Sequence, residues 1–176
     1  VDEFWLPAIG TYEEKPFKSA TRAGADLSNI KEEGADEKDD KTDKAGKDHP
    51  KGLDSLISMV KLELGEAVKD VRVSERLTDS AVCLVADEGD MDIHLERLLR
   101  QHNQLETSVT RVMEINPTHP LITTLAGIVG DDGAGAKLSD AAWLLLDQAR
   151  ILEGETLPDP TAFSRRLSDL MTRGLA

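Results

Sequence analysis

The chain has 176 residues and carries 21 Lys and Arg against 34 Asp and Glu, a formal net charge of −13. That length holds one ordinary domain with extra segments rather than two full-sized domains, and that charge excludes a general nucleic-acid binder, whose affinity needs clustered cations. A single cysteine excludes an internal disulfide framework and points to a reducing compartment, no apolar run reaches the ~20 residues of a membrane helix, and an aromatic content of 3% leaves the core to Leu, Val, Ile, Met and Ala.

Residues 1–30 hold Phe4, Trp5, Tyr12 and Phe17, four of the six aromatics of the whole chain. That density reads as part of a core whose other half lies elsewhere, and the first residue, Val1, reads as the edge of a piece cut from something longer. Asp2 and Glu3, without a basic stretch, do not begin a signal peptide. Residues 31–52 are different: 14 of the 22 are charged, eight acidic and six basic, and the only aliphatics are Ala35 and Ala45. Such a segment cannot offset its chain entropy by burial, so it is expected to be a solvated linker.

Residues 53–176 are the expected folded unit. Leu53, Leu56, Ile57, Val60 and Leu64 recur at helical spacing, with Gly65 placed to stop the helix. Val68, Val71 and Val73 mark a short strand. Residues 81–86 (AVCLVA) form a continuous apolar run that reads as a buried strand, with Cys83 inside it as a small hydrophobe rather than a nucleophile. Met91, Leu95, Leu98 and Leu99 then fall on one helical face, and residues 108–115 (SVTRVMEI) alternate like a strand. Beyond the turn at Asn116 and Pro117, His119 caps a helix with Pro120 near its first position and Leu121, Ile122, Leu125 and Val129 on its buried face. Two helices close the chain. One is expected from Ser139, as N-cap, to about Glu153; the other starts at Asp159 and Pro160, runs to about Arg173, and has an apolar stripe of Phe163, Leu167, Leu170 and Met171.

Catalytic patterns are absent on this reading. The glycine-rich run 130–135 lacks the Lys and Ser or Thr of a phosphate-binding loop and carries Asp131 and Asp132 instead. The acidic stretch 87–92 resembles the start of a calcium loop, but its twelfth position is Leu98 where a Glu is required. His94 and His102 lie two helical turns apart, too far to share a metal unaided, so a metal-dependent hydrolase is a poor rival and no metal site is assigned.

Excess apolar surface is the more informative feature. Residues 141–146 (AAWLLL) are six consecutive apolar positions, which cover the whole circumference of a helix. The last helix is the natural antiparallel neighbour, and two helices from each of two copies would make an intermolecular four-helix bundle. Patterning favours that dimer over burial within one chain. The expected interface is Ala141, Trp143, Leu144, Leu145 and Leu152 with Phe163, Leu167, Leu170 and Met171. Periodicity alone reads the stripe of Met91, Leu95, Leu98 and Leu99 as the core side of a helix; its functional reading is an adaptable surface that repacks against varied partners.

Residues 76–87 (RLTDSAVCLVAD), 114–122 (EINPTHPLI) and 144–170 (LLLDQARILEGETLPDPTAFSRRLSDL) resemble, in order and spacing, the C-terminal domain of the heat shock protein 90 chaperones, in their bacterial form. Residues 2–21 (DEFWLPAIGTYEEKPFKSAT) are similar to the end of that family's middle domain. The resemblance implies residues 1–30 as the end of the middle domain, 31–52 as the linker and 53–176 as the dimerisation domain. It implies an α+β fold, a small mixed sheet with packed helices whose last two form the four-helix bundle. It further implies a homodimeric, ATP-driven cytoplasmic chaperone that binds unfolded or partly folded clients, with Met91, Leu95, Leu98 and Leu99 touching them together with Phe4 and Trp5. ATP and Mg belong to the family's N-terminal domain, outside this sequence, so neither enzyme activity nor a cofactor is expected here. Residues 173–176 (RGLA) differ from the acidic MEEVD ending of cytosolic eukaryotic members, so tetratricopeptide co-chaperones are not expected partners. The alternative is a dimeric scaffold module without client binding.

Overall fold

The computed structural model describes residues 9–13, 15–16, 49–87, 90 and 110–175. A small hairpin pairs β1 (Thr11–Tyr12) antiparallel with β2 (Lys15–Pro16); residue patterning gave no hint of it, because two-residue strands carry no periodic signal. The remaining described elements are α1 (Leu53–Leu64), β3 (Asp70–Val73), β4 (Val82–Val85), β5 (Val112–Ile115), α2 (Pro120–Gly127), α3 (Gly135–Leu152) and α4 (Pro160–Leu175). They make an α+β fold: four α-helices, among the described residues, around a mixed three-stranded sheet of order β3-β5-β4.

Helix α1 follows its pattern. Leu53, Leu56, Val60 and Leu64 are buried, one stripe at helical spacing. Gly52 precedes it with φ +89°, and a Cβ there would lie 2.3 Å from the Ala126 carbonyl oxygen, so only glycine allows α1 to start this close to α2. At the other end Gly65 (φ +48°) closes the helix into a short 3-10 turn, Gly65–Ala67.

Register explains the sheet. β5 pairs in parallel with β3 and antiparallel with β4, which aligns Val71 with Met113 and Leu84, and Val73 with Ile115 and Val82. These rows face the main core beside Leu56, Val60, Leu145 and Leu146. Side chains alternate across a strand, so the intervening rows lie on the other face. There Val85 and Val112 form a small second cluster with Cys83 against it, and Arg72, Glu114 and Cys83 share one row. The strand expected over 108–115 is only Val112–Ile115 in its described part; Ser108 and Val109 lie outside the described residues.

The turn after β5 is pinned by Asn116, only 1% exposed. Its amide nitrogen donates to the Thr78 and Ser80 carbonyls at 3.2 and 3.1 Å, and its oxygen accepts from the Thr118 amide and hydroxyl at 3.0 and 2.9 Å. A buried side chain used this fully ties the 78–80 loop to the sheet. His119 then caps α2, its Nδ1 accepting from the Leu121 amide at 3.1 Å, with Pro120 at the first turn. Leu121, expected on the buried face, is 43% exposed instead. The inward stripe is Ile122, Leu125 and Ala126, and Leu121 stands one step of rotation off it.

Helix α3 begins at Gly135, four residues before the expected cap at Ser139. Ala136, Lys137 and Leu138 are good helix formers, and buried Leu138 ties the extra turn to the core. Ser139 spends its hydroxyl elsewhere, donating to Glu63 Oε1 on α1 at 2.6 Å. Helix α3 packs on α1, β4 and α4. Helix α4 starts as expected: Asp159 Oδ1 accepts from the Ala162 amide at 2.9 Å, with Pro160 as the first helical residue. It continues to Leu175, two residues past the expected Arg173.

Candidate docking surface

Apolar residues of α4 recur at Phe163, Leu167, Leu170, Met171 and Leu175, the spacing of a single helical stripe. In α1 and α3 such stripes are buried by the same chain. In α4 no residue is buried. Leu167 is 37% exposed, Leu170 and Met171 56% each, and Leu175 85%; at the end of α3, Ile151 and Leu152 are 48% and 66% exposed.

The nine residues expected at a dimer interface therefore divide. Leu152, Leu167, Leu170 and Met171 are exposed, and Leu144 and Phe163 are half-buried. Ala141 and Trp143 are half-buried and pack against the core. Leu145 is a correction: at 3% exposure it belongs to the core of its own chain, because α3 is covered by α1 and β4 on that side. Ile151 and Leu175, which were not among the nine, are exposed as well, and Leu175 continues the α4 stripe one turn beyond Met171. The expected client-contact residues Met91, Leu95, Leu98, Leu99, Phe4 and Trp5 lie outside the described residues, as do His94 and His102.

The α3–α4 hairpin is fastened at mid-length. The Arg166 guanidinium lies over the Trp143 ring, 5.3 Å from its centroid, and Arg166 Nε is 3.8 Å from Asp140 Oδ1. The indole N–H of Trp143 donates to Glu63 Oε1 at 3.1 Å.

The densest charge cluster described lies on the second sheet face. Glu114 Oε1 accepts from Arg72 at 2.6 Å, while its Oε2 accepts from Arg76 at 2.8 Å and from Ser74 Oγ at 3.1 Å. Burial pushes the Glu114 carboxyl up, but hydrogen bonds and charge from Arg72 and Arg76 outweigh it, and the net result lies below the ordinary value. The carboxylate is thus an anion at neutral pH that joins β5 to β3 and to the segment after it. Cys83 lies beside it, Sγ 3.9 Å from Glu114 Oε2. Burial, then the Glu114 charge, pushes the thiol up to about 11, which suits a packing residue and not a nucleophile. Lys69 bridges Asp87 and Asp90 at 2.8 and 2.9 Å, closing the end of β4 onto the start of β3.

Among the described residues no three His, Cys, Asp or Glu side chains are grouped to hold a metal ion, and no helix is long and apolar enough to cross a membrane. A cavity of about 420 Å³ between β4, α3 and the α3–α4 connection is lined by Arg111 and Arg150 but also by Glu66 and Glu155. This balance favours neither an anion nor a cation.

Comparison with known proteins covers the whole chain. The family model described as Hsp90 protein matches residues 1–176. A chaperone protein HtpG of Paramagnetospirillum magneticum is 56% identical over 176 residues, covering 99% of this chain and 27% of that protein. Those of Roseobacter denitrificans and Rhodospirillum rubrum are 52% and 47% identical, each covering 99% of this chain and 28% of the relative. The chain spans about a quarter of the length of the curated relatives it matches.

Proposed function

Because the chain belongs to the Hsp90 protein family, we propose that it is the C-terminal dimerisation and client-contacting part of an ATP-dependent chaperone of the HtpG type, active in the cytoplasm. Residues 53–176 are the dimerisation domain, residues 1–30 the end of a middle domain, and 31–52 the linker. The observation that carries the reading is α4: a strongly amphipathic helix with its whole apolar stripe left outside the core.

Magnitudes support it. The exposed fractions of Leu152, Leu167, Leu170, Met171 and Leu175 amount to about three whole side chains. At ~1.5–3 kcal/mol per large apolar side chain fully buried, two copies of that surface supply about 9–18 kcal/mol. Association costs on the order of 4–15 kcal/mol, so a four-helix bundle from α3 and α4 of two copies is sustainable.

This part makes and breaks no bonds. Its role is to hold two chaperone arms at high effective concentration, so that nucleotide-binding domains carrying ATP and Mg can meet. The Met91, Leu95, Leu98 and Leu99 stripe, with Phe4 and Trp5, supplies an adaptable grip on unfolded clients.

Sedimentation of L167D and L170D over a dilution series tests the interface. Both positions are exposed within one chain, so a carboxylate there leaves the monomer folded but would be buried without a partner in the bundle. Monomers are expected from both; a dimer retained by both ends the assignment. Replacing Met91 and Leu95 by Ser should keep the dimer and weaken capture of an unfolded protein, and undiminished capture removes the client role.

A further inference from the structure

Among the described residues α4 packs mainly on α3 and has no buried residue of its own, so few side chains set its seat. One of them is shared with a third helix. The Trp143 indole meets α1 through its edge, donating to Glu63 Oε1 at 3.1 Å, and meets α4 through its face, under the Arg166 guanidinium at 5.3 Å. Ser139 Oγ donates to the same Glu63 oxygen at 2.6 Å, which holds that acceptor in place. Asp140 stands 3.8 Å from Arg166 Nε and keeps the guanidinium near the ring.

An indole is a rigid plane with one N–H. Once that N–H is directed at Glu63, rotation of the ring is fixed, and so is the direction of the face that Arg166 covers. A guanidinium is attracted to that face rather than to the ring edge. We propose that Trp143 is a positioning residue that couples α1 to α4: Glu63 sets the plane of the indole, and that plane sets the seat of α4. Residues 1–52 join the domain at α1, so displacement of α1 from that side reaches α4 through one ring. The consequence for assembly rests on α4 being the dimer helix; the latch itself lies within one chain.

Hydrogen exchange read by mass spectrometry on the full-length protein tests it. E63A removes the acceptor and W143F removes the donor while keeping an aromatic face. Each should speed exchange of amides 163–170 by about two- to fivefold, the share an exposed cation–π contact supplies. Amides of β5 should keep their wild-type rates. E63Q retains an acceptor oxygen and should restore slow exchange in α4. Wild-type α4 rates in both E63A and W143F overturn the proposal. So does equal acceleration of β5 and α4, which would make Trp143 plain support for the core, and so does an E63Q variant that behaves like E63A. The same set repeated on L170D separates the two readings: a response of α4 there upholds the latch whatever the state of assembly, while persistence of a dimer counts against the interface alone.

Discussion

Removing Glu114 should cost the fold more than any other single charge described. Its side chain is 5% exposed, that of Arg76 13%, and that of Arg72 38%. The three are therefore not equal partners. Arg72 can turn into solvent when its bond is lost, so R72A should cost about 0–1 kcal/mol, as for exposed pairs. R76A removes the drier partner, but Glu114 keeps Arg72 and the Ser74 hydroxyl, so about 2 kcal/mol is expected. E114A leaves a nearly dry guanidinium without the carboxylate it shares with Arg72, a change in the ~3–5 kcal/mol class of broken buried pairs. The pH dependence has a definite sign. The folded-state pKa of Glu114 lies below the ordinary 4.5, so its stabilising contribution is fully present above that value. It is lost as the pH falls through the folded-state value. Urea unfolding followed by far-UV circular dichroism, at one protein concentration and from pH 7 down to acid, measures both effects. E114Q should flatten the acid side of the stability curve. An E114A loss under about 1 kcal/mol, or an R72A loss equal to that of R76A, would refute the burial argument.

Gly52→Ala should lower stability by about 2 kcal/mol or more, since it combines a left-handed backbone with a Cβ placed 2.3 Å from the Ala126 carbonyl oxygen. Gly133→Ala, at a similar φ of +83° with nothing within 4 Å, supplies the backbone cost alone, and equal urea midpoints for the two would remove the close-approach argument. Cys83, its thiol raised to about 11, should react with an aromatic disulfide at pH 8 roughly a hundred times more slowly than free cysteine until urea unfolds the chain. A folded-state rate within tenfold of free cysteine would contradict the packing role.

What local pattern encodes was legible. The α1 stripe, the strand around Leu84, the His119 cap and the Asp159–Pro160 start of α4 each rest on neighbours within four residues. The order β3-β5-β4 was not, because pairing across 27 to 42 residues leaves no periodic mark. The burial of Glu114 was missed for the same reason: one carboxylate in an alternating strand reads as solvent-facing. A signal existed only for part of it: Arg72 and Ser74 stand at alternate positions at the end of β3, whereas Arg76 returns to the same carboxylate through a turn in which Ser74 Oγ accepts from the Arg76 and Leu77 amides. The apolar run 141–146 misled in one respect. Its excess suggested that α3 itself supplies the greasy outer face, yet Ala142, Leu145 and Leu146 are consumed by the chain's own core. A helix covered on several sides uses most of its circumference at home.

That shift moves the weight of the proposed dimer onto α4 and changes what α4 requires. A 16-residue helix is marginal on its own in water, and this one buries no residue within the chain. Its cap at Asp159 and its latch at Arg166 contribute on the order of 1 kcal/mol each, less than the surface on its exposed stripe can supply. Pairing of two copies is then the larger contribution to the stability of α4, added to the cap and latch that already seat it within one chain. Protein concentration enters the stability of this helix in a way that it does not enter that of β5, whose residues are buried within the chain.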